Sequence, residues 1–329
     1  MENSPLRIGI LGFANIAQKS VIPAADETDA VEVTGVATRG GKKSGEIREL
    51  ISEAGLFEDY ESLVESDAVD AVYIPLPNSM HVEWTLKALE AGKHVLCEKP
   101  FALDAAGAEK GFEAARESGL TLMEGFMFRL HPQTLRLREL IGDGAVGTVR
   151  QVVAQFGHLL DDPDDVRGIG SLGGGSLGDV GCYAVSGTRL AFGAEPRRAS
   201  AFARFDGEDA DRELAGVLEF DEGVGIISCS ISSARRERLE IIGTEERITL
   251  EAPFRADKAG GAIEIVRGDE TETESFEQGD PYLAELEEFA AAIREQREPA
   301  VGTDEILGNA RAIDGLLNSA RQGGRVQSL

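Results

Sequence analysis

A chain of 329 residues is too long for one ordinary domain, and a hydrophobic fraction of 42% is enough to fill two cores. The formal net charge is −26, from 59 acidic and 33 basic residues, which argues against nucleic acid or an anionic membrane surface as a partner. No apolar run reaches membrane-spanning length, and "MENSPLRIGIL" lacks a basic region followed by a small-residue cleavage site, so the expected compartment is the cytoplasm.

In chain order, "LRIGIL" is a short apolar strand, followed at once by a turn and helix over residues 12–26. "VEVTGVA" is a second strand, residues 43–55 have a helical period, and residues 69–77 form a further strand. A helix follows over residues 79–92, stopping at Gly92, then "HVLCEKP", then a helix over residues 104–119, then "TLMEG". Strands alternating with helices for this length predict an α/β, doubly wound parallel sheet over residues 1–125.

The first turn aligns with a dinucleotide fingerprint in which Gly12, Ala14 and Ala17 take the three small positions. In this reading Gly12, Phe13, Ala14, Asn15 and Ile16 face the dinucleotide, and amides at the helix start meet its pyrophosphate. The end of the second strand chooses between nucleotides. An acid there holds the ribose hydroxyls of NAD and repels a 2′-phosphate. Here "VATRGGKK" has no acid; it has Thr38, Arg39, Lys42 and Lys43. The expected cofactor is therefore NADP, gripped by Thr38 and Arg39 with Lys43 as helper. Leu76, Pro77 and Asn78 lie at a strand's C-terminal edge and are expected to border the nicotinamide ribose. For His81 two readings stand, a place on the same pocket or a cap or surface histidine.

"HVLCEKPF" is a buried strand that delivers Lys99 to its C-terminal edge, the side on which parallel sheets bind ligands. From Val149 onward, strand-like runs follow one another with few helices, which predicts an α+β domain with a large, mostly antiparallel sheet over residues 126–329. Residues 137–149 read as the crossing between the domains. Within "GGGSLGDVGCYAVS", Asp179 and Tyr183 are four apart and share one helix face after a glycine-rich loop. The alternative is a capping acid and a core tyrosine. Cys97, Cys182 and Cys229 have no metal spacing and read as buried free thiols. No His/Cys/Asp cluster calls for a metal.

The turn "GILGFANIA", the runs "IPLPNSMH", "EKP", "EGFMFRLHPQ" and "GGGSLGDVGCYAVS", and the closing helices at "YLAELEEFAAAI" and "LGNARAIDGLLNSAR" together resemble the Gfo/Idh/MocA oxidoreductase family, over essentially the whole chain. Within it the chain looks most like the aldose dehydrogenase branch, with glucose–fructose oxidoreductase and dihydrodiol dehydrogenase as neighbours. The resemblance implies a Rossmann domain before an antiparallel sheet that carries substrate and oligomer contacts, and a homodimer or homotetramer through that sheet. The closing helices would pack back near the first domain.

It also implies roles. Oxidising a sugar at its anomeric carbon moves a hydride to nicotinamide and a proton to a base. Tyrosine titrates near ~10, and a nearby ammonium favours the phenolate. By resemblance Tyr183 is the general acid/base, Lys99 its electrostatic partner and Asp179 a substrate orienter, with a cis bond before Pro100 directing the lysine. Many relatives carry His where Tyr183 stands, and Tyr points to the aldose branch. Glu98 either holds the cofactor ribose or orders Lys99. Arg129 either touches the cofactor or pairs with acid, and His131 is left open. Phe128 stands where relatives often have Tyr. Phe156 and His158 are candidates for the sugar pocket, and Trp84 reads as helix packing. The implied activity is NADP-dependent oxidation of an aldose, D-xylose first, to its lactone. The alternatives are another pyranose or diol oxidoreductase of the branch, or a non-catalytic NADP or sugar sensor.

The acid is dispersed, with dense stretches at residues 161–165, 206–211 and 268–280. Such a surface repels itself unless salt screens it, so the expected habitat is a high-salt one; the alternative is an ordinary acidic cytosolic protein. The expected outcome is loss of folded structure on dialysis into salt-free buffer, followed by circular dichroism, and recovery in molar salt. An unchanged melting curve without salt would reject the salt-adapted reading.

Overall fold

The computed structural model describes residues 4–41, 43–207 and 210–329; Lys42, the first three residues and two of the acidic stretch 206–211 lie outside them. The chain divides into two compact units. The first comprises Met1–Ala102, Ala106–Met127 and Asp280–Ile306. The second comprises Leu103–Ala105, Phe128–Gly279 and Leu307–Leu329.

In the first unit, β1 (Leu6–Leu11) runs into a wide π turn (Ala17–Val21) and α1 (Ile22–Asp26). There follow β2 (Val31–Ala37), α2 (Ser44–Leu50), β3 (Gly55–Phe57), α3 (Tyr60–Val64), β4 (Ala71–Ile74), α4 (His81–Glu90), β5 (His94–Glu98), α5 (Ala105–Ser118) and β6 (Leu122–Gly125). The six strands are all parallel in the order β3-β2-β1-β4-β5-β6. This is the doubly wound sheet, and its order reverses beside β1, where the C-terminal edges open towards ligands. The short β3 and α3 were not anticipated. Three residues around a glycine are too few to show a period, and Asp59 starts α3 by accepting the Ser62 amide at 2.7 Å.

The second unit holds α6 (Pro132–Gly142), β7 (Val149–Leu159), a second π turn (Leu177–Gly181), α7 (Cys182–Phe192), β8 (Arg198–Asp206), β9 (Ala210–Glu219), β10 (Val224–Ser230) and β11 (Ser232–Gly243). It continues with β12 (Arg247–Leu250), α8 (Ala256–Ala259), β13 (Gly261–Arg267) and β14 (Glu270–Phe276). Next, α9 (Pro281–Glu295) belongs to the first unit, where it packs on α1, the π turn and β2. From Leu307 onward, α10 (Thr303–Arg321) belongs to the second unit, as does β15 (Gln327–Ser328). The two closing helices are thus not a pair in one unit. Residues 137–149, read as an interdomain crossing, lie wholly inside the second unit as the lead from α6 into β7.

Nine strands form one sheet in the order β14-β13-β12-β11-β7-β10-β9-β8-β15, antiparallel apart from the parallel pair β7–β10. Its buried face includes the row Ala201, Gly216, Ile227, Ala154 and Leu239, and α7 covers it at β7, β10 and β11. The opposite face alternates in register, for example Ser200, Val217, Ile226, Val153 and Glu240. Phe202, Val217, Val224 and Ile226 are exposed there. The acid-dense run "ETETESF" is the edge strand β14, and charge on an open edge deters pairing with another chain.

Candidate active site

Gly12 follows β1 with φ +91°, a conformation that L side chains resist, and its amide donates to the Ala37 carbonyl at 2.8 Å. A Cβ there would meet the Leu76 side chain at 3.1 Å. The turn is therefore held against the end of β2, with Phe13 buried, Ala14 and Ile16 half-buried and Asn15 exposed. Gln18 Nε2 donates to the Phe13 carbonyl at 2.9 Å and steadies it. Thr38 is buried at the end of β2, where its amide donates to the Phe57 carbonyl at 3.2 Å. Arg39 is hydrogen-bonded to Tyr60, whose phenol is raised by burial and pulled back by that cation. Lys43 takes a left-handed backbone, φ 63°, and sets its ammonium 5.9 Å from the Phe13 ring centroid. Trp84 packs edge-on to Tyr60 at 5.0 Å, a core role as expected.

The end of β5 is gripped residue by residue. Tyr73, fully buried, donates its hydroxyl to Glu98 Oε1 at 2.7 Å, and the Lys99 amide donates to Glu98 Oε2 at 3.3 Å. The Lys99–Pro100 bond is cis, and the Phe101 amide donates to Glu124 Oε1 at 2.7 Å. His81 lies against this segment from below. Its Nδ1 is 2.9 Å from the Pro100 carbonyl oxygen and its Nε2 is 2.8 Å from that of Leu76. This corrects its assignment as a cofactor contact. A fully buried ring with both nitrogens on backbone carbonyls has no atom left for a ligand, and it braces two loops instead. Burial and Lys99 push its imidazole below the ordinary value, while the two carbonyls pull it up. Leu76 is buried, and Pro77 and Asn78 are half-buried at the end of β4.

The second unit holds the other group. Tyr183 sits in the first turn of α7, walled by Phe128 and Phe156, each with ring centroids 5.5 Å away, and by Phe254 at 5.7 Å. Phe156 stacks on Phe254 at 5.6 Å. Truncating a buried ring of this kind costs about 3–5 kcal/mol, so the wall is a rigid part of the core. Asp179 lies one turn earlier, inside the π turn, a form that recurs at functional sites. Its Oδ2 is 2.8 Å from His158 Nε2, and its Oδ1 accepts from Arg167 Nε at 3.2 Å. Asp211 caps this helix start, accepting the Leu177 amide at 2.8 Å and the Ser176 hydroxyl at 2.5 Å. Arg167 arrives on the loop after β7. A Cβ on Gly174 would meet the Arg167 carbonyl oxygen at 2.6 Å, so glycine there lets that loop fold onto the helix start.

Phe156, His158, Asp179 and Tyr183 are therefore brought together. Arg167 and Phe254 join them without having been anticipated, since an arginine in an acidic loop and a lone phenylalanine in "EAPFRAD" show no period or motif. His131 caps α6, its Nδ1 accepting the Gln133 amide at 3.2 Å. Arg129 lies half-buried in the short turn Met127–Leu130, on the part that belongs to the second unit. All three cysteines are buried free thiols.

The Asp179 hydrogen bond raises the His158 imidazole above its ordinary 6.5, against the pull of burial. Stabilisation from this pair is complete below about pH 6.5 and fades as pH climbs through the raised value. His158→Gln should accordingly lower the melting temperature at pH 6 more than at pH 9. An equal loss at both would mean that the pair does not titrate as described.

Residues 6–126 match a family model described as an oxidoreductase family with an NAD-binding Rossmann fold, and residues 134–249 match the GFO/IDH/MocA C-terminal domain. The chain is 35% identical to a D-xylose 1-dehydrogenase (NADP+) of Haloferax volcanii, covering 98% of this chain and 99% of that one. It is 32% identical to a dTDP-3,4-didehydro-2,6-dideoxy-α-D-glucose 3-reductase of Actinomadura kijaniata, covering 98% of each. Among solved structures, a 3-ketoreductase from A. kijaniata in complex with NADP and TDP-benzene superposes with a TM-score of 0.90 at 31% identity over 96% of this chain and 98% of that one. An aldose–aldose oxidoreductase from Caulobacter crescentus complexed with glycerol reaches 0.90 at 27% identity over 99% of this chain and 100% of that one. The two sheets, the glycine turn and this similarity across both units identify the chain as a member of the Gfo/Idh/MocA oxidoreductase family.

Proposed function

We propose that this protein is an NADP-dependent sugar dehydrogenase that oxidises an aldose at C1 to the lactone, with D-xylose as its first candidate substrate. The observation that carries the reading is Asp179. A histidine and an arginine pin it one helical turn from a tyrosine walled by three aromatic rings. A fixed carboxylate only accepts hydrogen bonds, which suits the hydroxyls of a neutral sugar. The Haloferax relative's name supports the choice of sugar and nucleotide.

The first unit's residues fit NADP. The left-handed Gly12 leaves backbone where a Cβ would stand, and the end of β2 carries Thr38 and Arg39 in place of an acid. Gly12 to Ile16 would meet the pyrophosphate, Thr38, Arg39 and Lys43 the 2′-phosphate, and Leu76 to Asn78 with Glu98 the nicotinamide side. When bound, the nucleotide supplies the hydride acceptor. Tyr183 takes the proton of the anomeric hydroxyl as general base, and Lys99, at the ligand edge of the first unit's sheet, is proposed as the cationic group of the reaction. Asp179 orients the sugar by accepting from a neighbouring hydroxyl. Phe128, Phe156 and Phe254 keep water from the phenol ring.

Two variants of the A. kijaniata ketoreductase, one at a lysine and one at a tyrosine, have been solved; those two positions are as far apart in that chain as Lys99 and Tyr183 are here. That enzyme's name also supports a second reading, reduction of a ketosugar, in which Tyr183 gives its proton instead of taking one.

The deciding experiment is initial rates of NADPH formation in molar salt with D-xylose, L-arabinose, D-glucose and D-galactose, with NAD as control. Tyr183→Phe should cost ~10²–10⁴ in turnover while NADP still binds, as expected for loss of a general base. Arg39→Asp should move the preference towards NAD. Silence with all four sugars would shift the reading to ketosugar reduction, and full activity of Tyr183→Phe would reject the tyrosine as base.

The open face of the nine-stranded sheet is proposed as the seat of a homodimer or homotetramer. Its Arg198–Glu219 and Arg204–Glu213 pairs are exposed, and exposed ion pairs contribute little. Phe202, Val217 and Ile226 would then supply the association. Ile226→Arg with Val217→Glu should reduce the mass seen by light scattering, whereas a wild-type protein of monomer mass would refute the proposal.

A further inference from the structure

Glu285 is 1% exposed, and neither of its carboxyl oxygens has a hydrogen-bond partner. It projects from α9 in the same stripe as the buried Tyr282, Leu286 and Phe289. The charged groups acting on it are all acidic: Glu98 at the end of β5, Glu124 on β6 and Asp280 at the start of α9. Tyr73 interacts with Glu285 and Tyr282, and Cys97 shares Glu98 and Glu124 as neighbours. Glu98 and Glu124 are not idle. Between them they hold the Tyr73 hydroxyl and the amides of Lys99 and Phe101.

A carboxylate without a donor, beside two carboxylates that do have donors, is the member of the group that must carry a proton. We infer that Glu285 is held as an uncharged carboxylic acid and is a positioning residue for Lys99, acting through Glu98 and Glu124. An anion at Glu285 would repel both carboxylates, and these are the groups that fix the backbone on either side of the cis bond. The neutral acid lets Glu285 share a neighbourhood with Glu98 and Glu124 without repelling them. Burial and the neighbouring acids both favour the protonated form. The role rests on the reading of Lys99 as part of the reaction, while the protonation state does not.

The sign follows from linkage. The folded chain keeps a proton that the unfolded chain releases near 4.5, so Glu285 lowers stability progressively as pH rises above that value. Glu285→Gln has no proton to lose. Its melting temperature should match wild type near pH 4 and exceed it by a margin that widens towards pH 9. Glu285→Leu serves as the second variant should the amide not fold. A margin that does not change with pH overturns the uncharged acid.

For the positioning role, turnover on the responsive sugar is followed against pH. Wild-type turnover should fall at alkaline pH by about tenfold per pH unit past the midpoint of a single ionisation; in Glu285→Gln, where Lys99 still titrates but residue 285 does not, the fall should begin at a higher pH. The same alkaline limb in both proteins overturns the positioning role. If no sugar is oxidised, the dehydrogenase reading fails by itself, and the melting series still decides the state of Glu285.

Discussion

A parallel strand that ends inside a protein leaves amides and carbonyls with no ladder to join, and each must find a partner. At the end of β5 that requirement is met by side chains: Glu98, Glu124, Tyr73 and His81, from the strand itself, both adjoining strands and one helix. The result is an apolar sheet with a polar rim of fixed geometry. Lys99 leaves the rim in a direction set by groups that do not themselves take part in the chemistry. The glycine turn after β1 and the basic end of β2 belong to the same rim, since all these strands run the same way.

The second unit solves a different problem. Its helix starts with a π turn, and the amides freed there are taken up in part by Asp211, which accepts from Leu177. Asp179 then rides on a helix start fixed from outside, and its own oxygens are occupied by His158 and Arg167. The helix start after the glycine turn and the one that carries Asp179 are both π turns, residues 17–21 and 177–181. Each brings a little more backbone to the ligand side than an α turn would.

What was legible in the sequence was what repeats or punctuates. The alternation of strand and helix, the small residues after β1, the missing acid after β2 and the four-residue spacing of Asp179 and Tyr183 all declare themselves in one line of text. Short or non-periodic pieces did not. The strand β3 has three residues, and β14 lies in a stretch whose acidity stood out and whose alternation did not. Arg167 reaches Asp179 only because a distant glycine lets its loop fold over. His81 stood open between a place on the cofactor pocket and a cap or surface histidine; its partners are backbone carbonyls, which no side-chain pattern marks. Glu285 was legible in principle. It stands three residues after Tyr282 and four before Phe289, in the stripe a helix buries.

The parallel pair at the middle of the nine-stranded sheet has a consequence for how the chain is made. Strand β7 lies between β10 and β11, and both follow it by more than a hairpin's length of chain. On the ribosome the central strand therefore emerges well before either of its partners, with both edges bare until β10 is through at Ser230 and one edge bare until β11 follows. The helix α7, which emerges in between, can shield one face of β7 in the meantime but neither edge. A sheet assembled in that order pays its loop-closure entropy early and is rewarded late, so it forms slowly and as one event. Its half-made intermediates are where assembly is most exposed to mispairing with another copy of the chain.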